Sequence, residues 1–96
     1  MEKAYIVYIL ANISRGTYIG STSNLIGRLR QHRQKLIPGF TRDHNITMLV
    51  YYEEIPNPAE MVARERELKD WRRARKVELI QAENPSWLDL SAGWDI

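Results

Sequence analysis

The run AYIVYILANISRGTYIGS, from Ala4 to Ser21, decides the fold. Its first eight residues, Ala4 to Ala11, are rich in aromatic and β-branched side chains, which suit a pleated strand. Both alternating sets, Tyr5/Val7/Ile9 and Ile6/Tyr8/Leu10, are largely apolar, so this strand is expected to be covered on both faces. Asn12 to Gly16 reads as a turn and Thr17 to Ser21 as a second short strand. Together they predict a β-hairpin.

Working outward, a helix is expected from about Asn24 to Lys35, capped by Thr22, Ser23 or Asn24. Leu25, Leu29 and Leu36 mark its apolar stripe, with Arg28 and His32 along one flank facing the sheet. Pro38-Gly39 is a loop, and residues 47–54 form a third strand. Asn57-Pro58-Ala59-Glu60 carries three agreeing helix-start signals: a cap, a proline at the first helical position and an acid where a capping box needs one. That helix runs to about Lys69, with Met61, Val62 and Leu68 marking its buried side. A last helix, from about Arg72 to Ala82, must stop near Asn84-Pro85, because the residue before proline avoids helical geometry. The tail with Trp87, Leu90 and Trp94 is expected to fold back over the core. The order β-β-α-β-α-α predicts an α+β fold, a three-stranded and mostly antiparallel sheet flanked by about three helices. Residues 1–96 read as one domain, with a core of about 4–72 and a C-terminal helix and tail at 73–96.

A 96-residue chain that is 44% hydrophobic and 27% charged can bury a modest core and is far from a disordered composition. There is no cysteine, which excludes disulfides and any zinc site built on thiolates. No apolar run approaches the roughly 18 residues of a membrane span, and Met1-Glu2-Lys3 does not open a signal peptide. A cytoplasmic protein without membrane contact is the expectation.

Charge is polarised. Arg28, Arg30, Arg33, Lys35 and Arg42 share a segment whose only acid is Asp43, and Arg72, Arg73, Arg75 and Lys76 form a second cluster. Such faces suit a polyanion, although they also describe two well-solvated helices. Glu65 is the odd acid, projecting between Met61 and Leu68 on an apolar face. A carboxylate there needs a partner, either a cation such as Lys69 one turn on or a metal ion. Strand tyrosines are usually core fillers and helix-flank cations usually reach for water. An interior carboxylate, phenols, an arginine and an imidazole in one small chain are nevertheless the parts of metal-assisted phosphoryl chemistry.

Tyr18-Ile19-Gly20 reads YIG in the second strand. Tyr8, in Ile6-Val7-Tyr8, stands ten residues before Tyr18; Arg28 stands ten after it, His32 one turn later, and Glu65 begins Glu65-Arg66-Glu67-Leu68-Lys69. In these residues and their order the chain resembles the GIY-YIG nuclease superfamily of homing endonucleases, excision-repair nucleases and small stand-alone bacterial proteins. The core likeness covers about Ala4 to Arg72, and similarity to the stand-alone bacterial members extends through Lys76 to Ile80 and Asn84 to Trp87. Two departures stand out: the GIY glycine and isoleucine are Ile6 and Val7 here, and Asn84 is the sole candidate for an asparagine found late in several members.

The resemblance implies a metal-dependent endonuclease that hydrolyses nucleic-acid phosphodiesters with one Mg²⁺ or Mn²⁺ ion. Glu65 would hold the metal, Tyr8 act as general base, Tyr18 orient water or phosphate, Arg28 neutralise developing charge, and His32 hydrogen-bond Tyr8 or the phosphate. Gly20, Arg30, Arg33, Lys35 and Arg42 would meet the backbone of the nucleic acid, DNA ahead of RNA. A separate protein partner would supply target choice. Two rivals stay open: a non-catalytic nucleic-acid-binding module on the same fold, and a partner-dependent subunit that docks through Trp87 and Trp94.

Overall fold

The computed structural model describes residues 4–96. Three strands, β1 (Tyr5–Ala11), β2 (Thr17–Thr22) and β3 (Met48–Ile55), form an antiparallel sheet in the order β2-β1-β3. The hairpin register pairs Tyr8 with Gly20 and Leu10 with Tyr18. Its turn closes around Asn12, which accepts from the Gly16 amide through its side chain at 2.8 Å. On the other side of β1 the register slips between Ile9 and Leu10, leaving Val50 as a bulge between Leu49 and Tyr51.

Among the described residues four helices complete the fold: α1 (Leu25–Arg33), α2 (Phe40–Asp43), α3 (Pro58–Asp70) and α4 (Arg73–Glu83). The short α2 was not foreseen, because four residues carry no periodicity to read. Asn24 is the cap of α1, accepting from the Gly27 amide. The helix ends two residues earlier than expected. Leu36 N–H bonds to the Gln31 carbonyl and Lys35 N–H to His32, a Schellman turn with Lys35 at φ 56°. Leu36 therefore leaves the helix and is 65% exposed rather than part of the stripe. His32, three residues beyond Leu29, takes the inward position instead and is 3% exposed.

Asn57 caps α3 at the Glu60 amide, as its sequence requires. On α3, Leu68 is buried and Met61 packs against the core, but Val62 is 46% exposed. At about 100° per residue, Val62 falls a third of a turn away from the Met61/Leu68 line, which corrects its placement on the buried side.

Because β1 is buried on both faces, it separates two apolar clusters. One joins Val7, Ile9, Ala11 and Ile19 to Leu68 of α3, Ile80 of α4 and Trp87. The other joins Tyr8, Leu10 and Leu49 to Leu25 and Leu29 of α1 and to Ile46. After α4 the chain turns at Asn84, whose buried side chain donates to the Val50 and Leu88 carbonyls and accepts from the Leu88 amide. The tail then shields the outer edge of β3: Leu90 N–H donates to the Leu49 carbonyl, and Asp89 accepts from the Leu49 amide. Trp87 is core, which removes it from any docking surface, while Trp94 packs at the margin and Leu90 stays exposed.

Candidate active site

Period-2 alternation along β1 and β2 sends Tyr8, Tyr18 and Gly20 to the α1 side of the sheet, and Val7, Ile19 and Ser21 to the α3 side. Tyr8 is buried, and its hydroxyl lies 3.2 Å from Nε2 of His32. The Tyr18 ring stands against the same imidazole, with centroids 5.5 Å apart, and 6.4 Å from the Tyr8 ring. The other imidazole nitrogen, Nδ1, is 3.2 Å from Oγ1 of Thr41, a buried residue of α2. The order is thus Tyr8, His32, Thr41.

Burial pushes the Tyr8 phenol well above its ordinary pKa; the neighbouring Tyr18 and the Glu65 charge push the same way, and only Arg28 opposes them. Burial, then the Arg28 charge, lowers the His32 pKa. At neutral pH the pair is therefore phenol and neutral imidazole. A neutral imidazole accepts at one nitrogen and donates from the other, and both hydroxyls can take either part; where the phenol donates to Nε2, the ring hydrogen is on Nδ1 and Thr41 accepts it.

Gly20 has a packing reason. A Cβ built on it would fall 2.5 Å from the Tyr8 hydroxyl and 2.6 Å from its Cζ. The Tyr8 ring lies where a side chain at position 20 would be, so Gly20 is buried beneath it and is not a surface for nucleic acid.

Glu65 comes from the opposite side. Its carboxylate accepts from the Ser21 hydroxyl of β2 and from Lys69 Nζ at 2.6 Å. Burial raises its pKa, but the bonds from Lys69 and Ser21 and the charges of Lys69 and Arg66 outweigh this and hold it below the usual carboxylate range. The lysine one turn on, expected as a partner for this acid, is met. Since β2 is an edge strand, the phenols, Arg28 and His32 approach it from one side and Glu65 from the other.

The expected phosphate contacts divide. Arg30 is exposed and Arg42 is exposed beside Asp43. Lys35 is exposed and donates to Asn45 at 2.7 Å. Arg33 instead binds Asp89 at 3.0 Å and the Ser91 hydroxyl, tying α1 to the tail. Its cation is spent on structure, a partner 56 residues away that no local pattern discloses. Ser21 and Thr41 are the polar neighbours that went unnoticed. Strand alternation could have placed Ser21 on the α3 side; nothing local marks Thr41. Among the described residues no group of three or more His, Asp or Glu side chains could hold a metal, and Glu65 is the acid whose charge acts on Tyr8.

No helix among the described residues is long and apolar enough to cross a membrane. The family model described as the GIY-YIG catalytic domain matches residues 4–78. The chain is 33% identical over 78 residues to a UPF0213 protein of Clostridium perfringens, covering 81% of this chain and 84% of that one. It is 34% identical over 86 residues to a UPF0213 protein of Syntrophus aciditrophicus, covering 88% and 97%. The solution NMR structure of a UPF0213 protein from Bacillus halodurans superposes with a TM-score of 0.59 over 97% of this chain and 99% of that one; at 22% identity it supports the fold. This chain belongs to the GIY-YIG catalytic domain family, a family with a nuclease fold, and is similar there to the UPF0213 proteins.

Proposed function

We propose that this protein is an endonuclease that hydrolyses a nucleic-acid phosphodiester at the β2 edge. The observation that carries the reading is the hydrogen bond of the Tyr8 phenol to His32 in a site that Arg28 and Glu65 both reach electrostatically. A buried phenol is a poor base alone. Here it takes a proton from the attacking water while passing its own to neutral His32, so no free phenolate has to form. With Thr41 accepting from Nδ1, Nε2 is left open to take that proton. Tyr18 orients the water or phosphate, and Arg28 balances charge growing on the phosphoryl oxygens. Arg30, Lys35 and Arg42 make sequence-blind backbone contacts; Gly20 and Arg33 leave that set.

Glu65 fits a hard divalent cation. It is ionised and half-buried with the Ser21 hydroxyl beside it in a chain without thiolates, and its Lys69 partner is a half-exposed ion pair that exchanges at low cost. Glu65 would hold a Mg²⁺ or Mn²⁺ ion, which would supply Lewis-acid charge and make water more acidic.

The full engagement of Glu65 by Ser21 and Lys69 favours the rival of a binding module on the same fold. One experiment separates them: labelled supercoiled DNA, branched DNA and single-stranded RNA, with Mg²⁺, Mn²⁺ or EDTA. Metal-dependent cutting that disappears in Glu65→Ala, Tyr8→Phe and Arg28→Ala supports the nuclease. Binding by a folded protein without cutting, in every metal, supports the rival.

A further inference from the structure

The segment from Arg64 to Lys76 holds seven cations against three acids, in a chain whose net charge is +2. Arg64 is neutralised by Glu53 and Glu67, and Lys69 by Glu65. Among the described residues, Arg66, Arg72, Arg73, Arg75 and Lys76 have no carboxylate within 4.0 Å, nor does Arg15 in the β1–β2 turn. On α1 and α2, Arg33 and Arg42 are paired, while Arg28 and Arg30 likewise have no carboxylate partner among the described residues.

The free cations from Arg66 to Lys76, with Arg15, are ordered along one path. Arg66 lies close enough to Glu65 to act on its carboxyl group. Lys76 Nζ reaches back to the Lys69 carbonyl at 3.4 Å. Arg73 donates to the Arg15 carbonyl at 2.8 Å, joining the first turn of α4 to the hairpin turn. Two of the guanidiniums are stacked, Arg75 at 3.9 Å over Trp71 and Arg15 at 5.0 Å over Trp87. A stacked guanidinium is held in plane with N–H edges free, a fork shaped for phosphate oxygens.

The path thus starts beside Glu65 and Ser21 at one end of β2 and finishes at Arg15, just before its other end. Six strand residues at about 3.3 Å each make this edge roughly 20 Å long, the axial rise of about six nucleotides of one duplex strand. We infer that the α3–α4 elbow and the β1–β2 turn form a second phosphate track, along which one nucleic-acid strand runs from the Glu65 edge across Arg73 to Arg15. The inference rests on the reading of this chain as acting on nucleic acid, but not on its cutting it. An arginine-rich line that ends at a phosphoryl site favours a strand over a lipid surface, which needs an apolar face to insert.

The test is binding in EDTA, where cleavage plays no part. The whole chain is titrated into a labelled oligonucleotide duplex and a labelled single strand at several salt concentrations. Arg72→Gln/Arg73→Gln/Lys76→Gln is expected to lower affinity and reduce the slope of log K against log salt by up to about 2.7, three phosphate contacts' worth. Arg72→Lys/Arg73→Lys keeps the charge and is expected to keep the slope, which guards against a folding defect. An unchanged slope in the glutamine variant, equal loss in the lysine variant, no oligonucleotide binding by the parent, or binding to anionic phospholipid vesicles alone would overturn the track. Loss of slope in a protein that cuts nothing keeps the track and removes the nuclease; cutting with an unchanged slope does the reverse.

Discussion

The Tyr8 hydroxyl occupies the space that a side chain at Gly20 would fill: the two residues are cross-strand partners, and an added Cβ would sit 2.5 Å from that oxygen. The consequence is that Gly20 positions Tyr8 from below while His32 holds it from the end. Gly20→Ala forces the phenol off His32 and overpacks a buried site. We expect a stability loss of about 1–3 kcal/mol, read by denaturant titration, and a cleavage loss at least as large as that of Tyr8→Phe. A normally active Gly20→Ala protein would show that Tyr8 does not need this seat.

Lys69 is paired with Glu65 and would compete with the metal ion proposed there. Removing an exposed i,i+4 partner costs about 0.3–0.5 kcal/mol of stability. Lys69→Ala is therefore expected to melt almost as the parent does while binding Mn²⁺ more tightly, by calorimetric titration. Weaker Mn²⁺ binding would mean that the ion does not use this carboxylate.

Glu65→Gln keeps the size and the Ser21 contact but removes the charge. Its expected phenotype is a folded protein whose metal-dependent cleavage is gone. Ser21→Ala leaves the carboxylate in place and is expected to reduce cleavage less than Glu65→Gln does, by a ratio that rate measurements at saturating metal would show.

His32 carries a pH signature of known sign. Its folded pKa is below the ordinary 6.5, so the unfolded chain takes up a proton first as pH falls. Stability is then full above about pH 6.5 and declines below it, toward the lowered folded value. Cleavage should follow the same acid limb, since only neutral His32 accepts the Tyr8 proton. In His32→Gln the downturn in stability starting at pH 6.5 is expected to shrink; if it is unchanged, another group is responsible.

Asn84 separates structure from chemistry. Its side chain satisfies the Val50 and Leu88 carbonyls and the Leu88 amide, so Asn84→Ala orphans three backbone groups where the tail meets the bulge. We expect a stability loss of about 1–3 kcal/mol with the cleavage rate per folded molecule intact. A rate defect in the folded protein would assign Asn84 to the reaction.

Much of this fold was legible from local pattern. The alternating Tyr5–Ala11 run, the Asn12–Gly16 turn, the Asn57-Pro58 start and the Pro85 stop each act over a few residues, where backbone sterics and hydrogen bonding leave few choices. The candidate site was legible as a set of residue types. Misplacements fell where the decision was longer in range or finer in angle. Leu36 was lost to a Schellman turn with a lysine in the left-handed position, and Val62 to a third of a helical turn. Arg33 was taken for a phosphate contact because Asp89 and Ser91 are remote in sequence.

By itself, the sequence determined the three strands, the three longer helices and the family, because these follow from periodicity, caps and motif spacing along the chain. Only the tertiary structure decided which groups meet. It seated Tyr8 over Gly20 and against His32, brought Thr41 of an unforeseen helix to the same imidazole, and tied Glu65 to Ser21 across the β2 edge. It also decided which cations are free, since an ion pair forms by distance in space, and distance in space is what a linear pattern does not encode.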